Sequence, residues 1–259
     1  MRVITSHLKG GLGNQMFQLA AAASLALDND DEIVFSHKNV GDMKHKRPSS
    51  YCTNVYKHIN FTEFVEYKTV FEEREFSYSP IPYTPDMCIH GYFQSEKYFT
   101  HNREYIQKLF IDNEICVELG NKYNNILKNT ETVSLHIRRG DYINLQNYHP
   151  PCTLEYYCNA MELFPDATYM IFSDDILWCK LNLPLGPKYI FVEGSEDYED
   201  LYLMSMCDHN IIANSSFSWW AAWLNKKGNK KVIAPKKWFG PATANLDTKD
   251  LYCEGWVIL

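Results

Sequence analysis

The sequence predicts a doubly wound α/β chain with parallel sheets, and two observations predict it. At the start, a short apolar run, a glycine-dense turn, a helix-forming stretch and a second apolar run follow one another. From residue 130 onward, hydrophobic runs of strand length alternate with single helical stretches. Parallel neighbours need a crossover of a dozen or more residues, usually a helix, so this alternation specifies βαβ units.

The elements follow in order. Residues 3–8 are extended and Gly10-Gly11-Leu12-Gly13 ends them; residues 14–27 are helix formers, and 32–35 make a second strand. Residues 38–86, rich in Tyr, Phe, Lys and Glu and closed by Pro80, Pro82 and Pro85, predict a lid or insertion. Residues 105–129 carry helical spacing through Ile106, Leu109, Phe110, Tyr123, Ile126 and Leu127. Residues 132–137 are a buried-strand run ended by Gly140, and a helix over 154–164 is stopped by Pro165. Strands are predicted at 167–172 and 189–192, then a helix whose acidic start at Glu196 and Asp197 suits the positive end of its dipole and which reaches Cys207. A strand at 210–213, a helix at 216–224 and a last strand at 231–234 complete the pattern. A length of 259 residues suits two small domains, here 1–129 and 130–259.

Hydrophobic residues at 46% and charged residues at 22% describe a globular protein with a sizeable core and exclude a disordered chain. With a net charge of -7, a nucleic-acid partner would need a local basic patch. The pairs Lys226-Lys227, Lys230-Lys231 and Lys236-Lys237 are short and separated, so none is expected. No run approaches the ~18 apolar residues of a spanning helix, and residues 1–7 read as a strand rather than a signal peptide. Eight cysteines without a close CxxC pair disfavour zinc and redox sites and read as free thiols in a reducing compartment, hence a cytoplasmic protein. Of two glycosylation sequons, at Asn60 and Asn214, the second lies inside a candidate site.

Ligands of open α/β sheets bind beyond the carboxyl ends of the strands, where three polar clusters fall. In His136-Ile137-Arg138-Arg139-Gly140-Asp141-Tyr142 the arginines offer planar forks of N–H donors suited to phosphate oxygens. A surface bridge to Asp141 is the plainer alternative, but the position after a hydrophobic strand favours a ligand role for one arginine; strand alternation does not say which. In Asn214-Ser215-Ser216-Phe217-Ser218-Trp219-Trp220, hydroxyls and backbone N–H groups meet at a helix N-terminus, a ready anion site. Capping alone needs one such residue and four are present, while Trp219, Trp220 and Trp223 read as core. Gly10-Gly11-Leu12-Gly13-Asn14-Gln15 fits neither a Walker A loop nor G-x-G-x-x-G, yet permits close approach of backbone to ligand. Ser173-Asp174-Asp175 is not a metal pair, because adjacent carboxylates on an extended chain point apart; it reads as hydrogen bonding near a bound nucleotide or as a helix start.

Together these clusters, with Gly91-Tyr92-Phe93-Gln94-Ser95-Glu96-Lys97-Tyr98-Phe99 and Phe172-Ser173-Asp174-Asp175, resemble the α-1,2-fucosyltransferases of glycosyltransferase family 11 over nearly the whole chain. The resemblance implies a GT-B-like arrangement of two Rossmann-type halves with the donor in the cleft: an acceptor-side half at 1–129 and a GDP-fucose-binding half at 130–259. It implies GDP-β-L-fucose as donor, a galactose-containing glycan as acceptor, inversion to an α-linked product on the 2-hydroxyl, and no cofactor or required metal. By position it implies that Arg138 with His136 holds the diphosphate, that Asn214, Ser215 and Ser216 line the same site, that Asp174 reads the nucleotide, and that Asn14 faces the reacting centre. Asp141 is the candidate general base, against a structural salt bridge. Two rivals are a GDP-fucose enzyme acting on protein or an inner glycan core, and a non-catalytic sugar- or nucleotide-binding protein of the same fold.

Overall fold

A computed structural model of the chain describes residues 2–38, 40–41 and 46–259. The chain forms two compact units, Met1–Asp112 with Leu246–Cys253, and Asn113–Asn245 with Glu254–Leu259.

In the first unit β1 (Val3–Ser6) leads through the glycine turn into α1 (Leu12–Asp28), then β2 (Glu32–Ile33), β3 (Phe35–Ser36), β4 (Phe61–Thr62), β5 (Thr69–Glu72), β6 (Met87–His90) and α2 (Arg103–Phe110). The main sheet runs β2-β1-β6-β5 with every pair parallel, while β3 and β4 form a separate parallel pair. Leu12, Met16, Phe17, Leu19 and Ala20 to Ala23 of α1 are all buried, the pattern of a helix covered on most sides. The stretch predicted as a lid, 38–86, instead supplies β4 and β5, although its residues 39 and 42–45 lie outside the described residues. Strand β5 is an edge with three exposed residues, so it lacks the apolar alternation that announces a strand. Leu246–Cys253 returns to this unit, where the Asp250 carboxylate accepts the Tyr78 amide at 3.0 Å and the Lys97 ammonium.

The second unit contains α3 (Asn113–Lys122), α4 (Asn124–Asn129), β7 (Thr132–Ile137), α5 (Leu154–Met161), β8 (Thr168–Ser173), α6 (Ile176–Asn182), β9 (Tyr189–Phe191), α7 (Asp197–Met206), β10 (His209–Ile211), α8 (Ser216–Leu224), β11 (Val232–Ala234) and β12 (Val257–Ile258). The helical stretch expected at 105–129 is thus three helices. The last two belong to the second unit, where α3 packs on α7, so the units divide at Asp112 rather than at 129. The sheet is parallel throughout, in the order β12-β11-β10-β7-β8-β9. Counted within the unit, this is the Rossmann order, which reverses between β7 and β10.

Strand alternation sorts the second core into two faces. Val133, Leu135, Ile137, Tyr169, Ile171, Ile211 and Ile233 pack against Tyr156, Tyr157 and Ala160 of α5 and Cys179 of α6. On the other face Asn210 donates to Ser134 Oγ at 2.7 Å and to the Met204 carbonyl at 2.8 Å. Asn225 in turn donates to Asn210 Oδ1 at 2.8 Å and to the Cys207 carbonyl at 2.9 Å, so these buried amides are partnered. Trp219, Trp220 and Trp223 of α8 are buried and in contact, Trp219 parallel to Trp223 and Trp220 edge-on to both, which makes them core residues.

Helix α7 begins with a capping box between Glu196 and Glu199, and the Ser195 hydroxyl donates to Asp200 in its first turn. Burial pushes the Asp200 carboxyl up to about 6, with Asp197 and Glu199 adding repulsion and the Ser195 hydrogen bond opposing. A carboxyl whose folded value is raised favours the fold while protonated, so its penalty grows as pH rises from the unfolded value of about 3.9 through 6. Asp200→Asn is therefore expected to stabilise the protein by about 1–2 kcal/mol at pH 7.5, after discount for partial exposure, with the gain shrinking toward pH 4. Thermal unfolding of both proteins at the two pH values checks this; an equal difference at both is the contrary result.

Candidate active site

The segments that leave β7 and β10, at the point where strand order reverses, are two of the polar clusters noted in the sequence. Arg138 follows the last residue of β7 and continues the strand face that carries Ser134 and His136. Its Nη2 donates to Asp141 Oδ1 at 2.7 Å and its Nη1 faces Asp174 Oδ2 at 3.0 Å. Three of the five guanidinium N–H groups take no part in these bonds. Arg139 turns the other way: its Nε faces Asp175 Oδ2 at 3.1 Å and its guanidinium lies 3.8 Å from the centroid of the Trp178 ring. The pair that alternation left open is thereby separated. Arg138 stands at the switch point, and Arg139 is bound to α6.

Asp174 also accepts the Arg139 backbone N–H at 2.9 Å, so one carboxylate sets both the backbone and the side chain of the arginine segment. A Cβ at Gly140 would collide with that carboxylate, which explains the glycine. Asp175 caps α6 by accepting the Trp178 amide at 3.2 Å. The helix-start reading of the acidic pair holds for Asp175, while Asp174 is spent on the arginine segment. Among the described residues no group of three His, Cys, Asp or Glu side chains is placed to hold a metal ion.

His136 is 5% exposed, and its ring centroid lies 5.5 Å from that of Phe217 in α8. Burial, reinforced by the Arg138 cation, holds its imidazole down to about 3, so the ring is neutral at physiological pH. Its Nδ1 is buried and has no partner among the described residues. Buried polar atoms are otherwise nearly always paired, so this nitrogen marks a place for a ligand atom or water.

Asn214 and Ser215 turn out to be committed within the protein. Both amide protons of Asn214 go to carbonyls, of Pro150 at 2.9 Å and Trp238 at 3.0 Å, and its Oδ1 accepts the Cys152 thiol at 3.4 Å. It is 1% exposed and clamps loops rather than offering its side chain to a ligand; the sequon there is closed for the same reason. The Tyr142 hydroxyl donates to the Asn214 carbonyl at 3.1 Å, tying the segment after β7 to the segment after β10. Ser215 is the cap of α8, its Oγ accepting the Phe217 amide at 3.4 Å. What the cluster can present is the positive dipole end of α8, which begins at the half-buried Ser216.

In the first unit β1 and β6 are the central neighbours of the sheet, and the segments leaving their carboxyl ends are the glycine turn and residues 91–95. They meet through Asn14, whose Oδ1 accepts the Gln94 Nε2 amide at 2.8 Å. The glutamines of the motif have roles that sequence reasoning missed. Gln15 donates to the carbonyls of Gly10 at 2.9 Å and Lys46 at 3.0 Å while accepting the Tyr56 hydroxyl at 3.2 Å. Gln18 accepts the Lys9 amide at 2.8 Å and donates to the Lys9 carbonyl at 3.1 Å, acting as a second peptide partner for the loop. Both are fully buried, and the available signal was a pair of glutamines inside an otherwise apolar helix.

Two parallel α/β sheets, each with polar clusters beyond the carboxyl ends of its central strands, define the class as a GT-B-like glycosyltransferase. The chain belongs to glycosyl transferase family 11, whose family model matches residues 1–259. It is 31% identical to the O-antigen biosynthesis glycosyltransferase WbnK of Escherichia coli, over 98% of this chain and 99% of that one. It is 30% identical to an alpha-1,2-colitosyltransferase of Escherichia coli, over 99% of each. Identity to the galactoside 2-alpha-L-fucosyltransferase SEC1 of Bos taurus is 25%, over 86% of this chain and 64% of that protein. Among solved structures, the fucosyltransferase NodZ from Bradyrhizobium superposes with a TM-score of 0.55 at 13% identity, covering 85% of this chain and 91% of that one. POFUT1 in complex with GDP-fucose superposes with a TM-score of 0.52 at 14% identity, covering 88% and 95%. These two likenesses concern the fold. No helix among the described residues is long and apolar enough to cross a membrane, and all eight cysteines are free thiols.

Proposed function

We propose that the chain transfers L-fucose from GDP-β-L-fucose to the 2-hydroxyl of a terminal β-galactoside, with inversion, forming Fucα1-2Gal. The observation that carries the proposal is Arg138 at the β7–β10 switch point, held by Asp141 and Asp174 beside a neutral His136 with an orphaned Nδ1. Departure of GDP leaves negative charge on the diphosphate. The remaining guanidinium N–H groups and the positive dipole end of α8 are preorganised toward that charge, a replacement for a divalent cation. His136 contributes a neutral ring, because a second cation beside Arg138 is opposed by burial and by repulsion.

Asp174 acts by setting Arg138, and Asn214 by clamping the loops, so both are positioning residues in this reading. Asn14 contributes to catalysis from the first unit. Asp141 accepts the acceptor proton only by leaving its bond to Arg138, and an oxocarbenium-like transition state lowers the demand for such a base. A cytoplasmic location belongs to the proposal and is supported by the free thiols.

A second reading is favoured by the 30% identity to an alpha-1,2-colitosyltransferase: the same linkage made from GDP-colitose, whose sugar is L-fucose without its 3-hydroxyl. A site that hydrogen-bonds that hydroxyl would reject the deoxy sugar strongly, whereas an apolar wall would not. The deciding experiment offers GDP-fucose, GDP-colitose, GDP-mannose and UDP-galactose with lactose or N-acetyllactosamine, with and without EDTA. Transfer from GDP-fucose that survives EDTA is the expected result. Preference for GDP-colitose selects the second reading, and activity abolished by EDTA and restored by manganese overturns the metal-free mechanism. Transfer only to a peptide or inner-core acceptor, or GDP binding without turnover, selects the corresponding rival.

A further inference from the structure

Strand β5 ends at Glu72, and the next residue, Glu73, extends its ladder by giving its backbone N–H to the His90 carbonyl at 2.8 Å. From there its side chain folds over the turn that follows β6. Oε2 accepts the Tyr92 amide at 2.6 Å and Oε1 the Phe93 amide at 2.9 Å, so one carboxylate receives two consecutive backbone N–H groups. A Cβ on Gly91 would overlap the Glu73 side chain, so the glycine exists to let the carboxylate lie there. Burial pushes the Glu73 carboxyl above its ordinary value, with the two N–H groups and the Lys9 ammonium opposing. A half-buried carboxylate of this kind is costly unless something needs it.

What needs it is Phe93. Its φ is +51°, the left-handed region that a bulky side chain rarely adopts. Glycine would relieve the backbone but lose the ring, which is fully buried, 5.3 Å from Tyr98 and 6.4 Å from Phe71 between centroids. The neighbouring structure must therefore over-determine the conformation, and strain held this way concentrates at functional sites. The residue after the strained one is Gln94, whose amide reaches Asn14 at 2.8 Å in the first turn of α1.

We propose that Glu73 is a positioning residue for transfer: its carboxylate holds the Phe93 turn, the turn aims Gln94, and Gln94 orients Asn14. The proposal rests on the transfer reading through Asn14. In Glu73→Gln the side chain can accept only one of the two N–H groups and presents its own NH2 to the other. Turnover at saturating donor and acceptor is expected to fall about tenfold or more, while GDP affinity by calorimetry stays within about twofold and the circular dichroism spectrum is kept. Gln94→Ala is expected to give a similar loss, and Glu73→Gln added to Gln94→Ala no further one. A merely structural carboxylate would cost the same factor in both backgrounds.

A readout independent of activity is the side-chain amide resonance of Asn14 in a 15N-labelled sample, expected to shift in Glu73→Gln as it does in Gln94→Ala. If Glu73→Gln does not accumulate, Glu73→Asp, with its carboxylate on a shorter arm, serves for both measurements. Additive losses, unchanged turnover or an unmoved Asn14 resonance would each overturn the proposal. If the wild-type protein transfers no sugar at all, the transfer reading fails by itself, and the resonance still decides whether Glu73 positions Asn14.

Discussion

Replacing Arg138 with alanine is expected to cut turnover at saturating donor by two or more orders of magnitude while the fold survives. Loss of one preorganised contact to developing charge costs roughly 2–4 kcal/mol of barrier, and each ~1.4 kcal/mol is a factor of ten. The loss should fall at the top of that range for two reasons. The guanidinium keeps three N–H groups beyond its two carboxylate bonds, and its removal leaves the Asp141 and Asp174 carboxylates without the cation that screens them from an anionic donor. Stability should suffer little, because the pair to Asp141 is exposed enough that such bridges contribute about 1 kcal/mol or less. Arg138→Lys separates charge from geometry: it keeps a cation but lacks the planar fork, and an intermediate rate is expected. Steady-state kinetics with GDP-fucose, beside thermal unfolding, reads both quantities. A near-wild-type rate for Arg138→Ala in a folded protein would remove Arg138 from the mechanism and with it the proposed metal-free stabilisation.

The second unit was legible because its information is local. Each of residues 132–137 is buried in β7, so the run stands out, and the polar residues leaving it fall where parallel sheets bind ligands. Helix α8 was read at its observed bounds because Ser215 caps it and the tryptophans fill it. Short elements escaped. Strand β5 is an exposed edge and β12 is a two-residue strand near the end of the chain, while α6, with Leu177 and Leu181 exposed, shows in the sequence only as a helix start at its acidic pair. Roles that depend on distant partners escaped as well. That Asp250 serves Tyr78, or that Asn214 serves Pro150 and Trp238, is fixed by tertiary packing and leaves no local trace. The four polar residues of the second cluster exceed what a cap needs, but Asn214 spends its surplus inside the protein. The arginine pair shows the boundary between the two kinds of information: its place at the end of β7 was readable from the apolar run before it, whereas its division of labour needed Asp175 and Trp178 in space.

Gly10→Ala tests the first unit in the same way. Gly10 has φ +79°, a conformation that costs an L-residue about 1–2 kcal/mol. The new methyl would stand 2.6 Å from Asn14 Nδ2 and 3.0 Å from Asn14 Cβ. An amide can swing aside, but a Cβ in the first turn of α1 cannot, and the Gly10 carbonyl is itself held by Gln15 at 2.9 Å. The strain must therefore go into Asn14, which loses its register with Gln94. Turnover is expected to fall about a hundredfold, corresponding to ~2.7 kcal/mol, with a lower unfolding midpoint and GDP affinity nearly unchanged. Gly228→Ala, where the methyl meets open space, is the control and should leave rate and midpoint alone. If Gly10→Ala lowers the midpoint but spares the rate, the glycine turn is structural and Asn14 takes no part in catalysis. A rate lost at an unchanged midpoint would instead mean that the loop absorbs the methyl and that Asn14 alone bears the displacement.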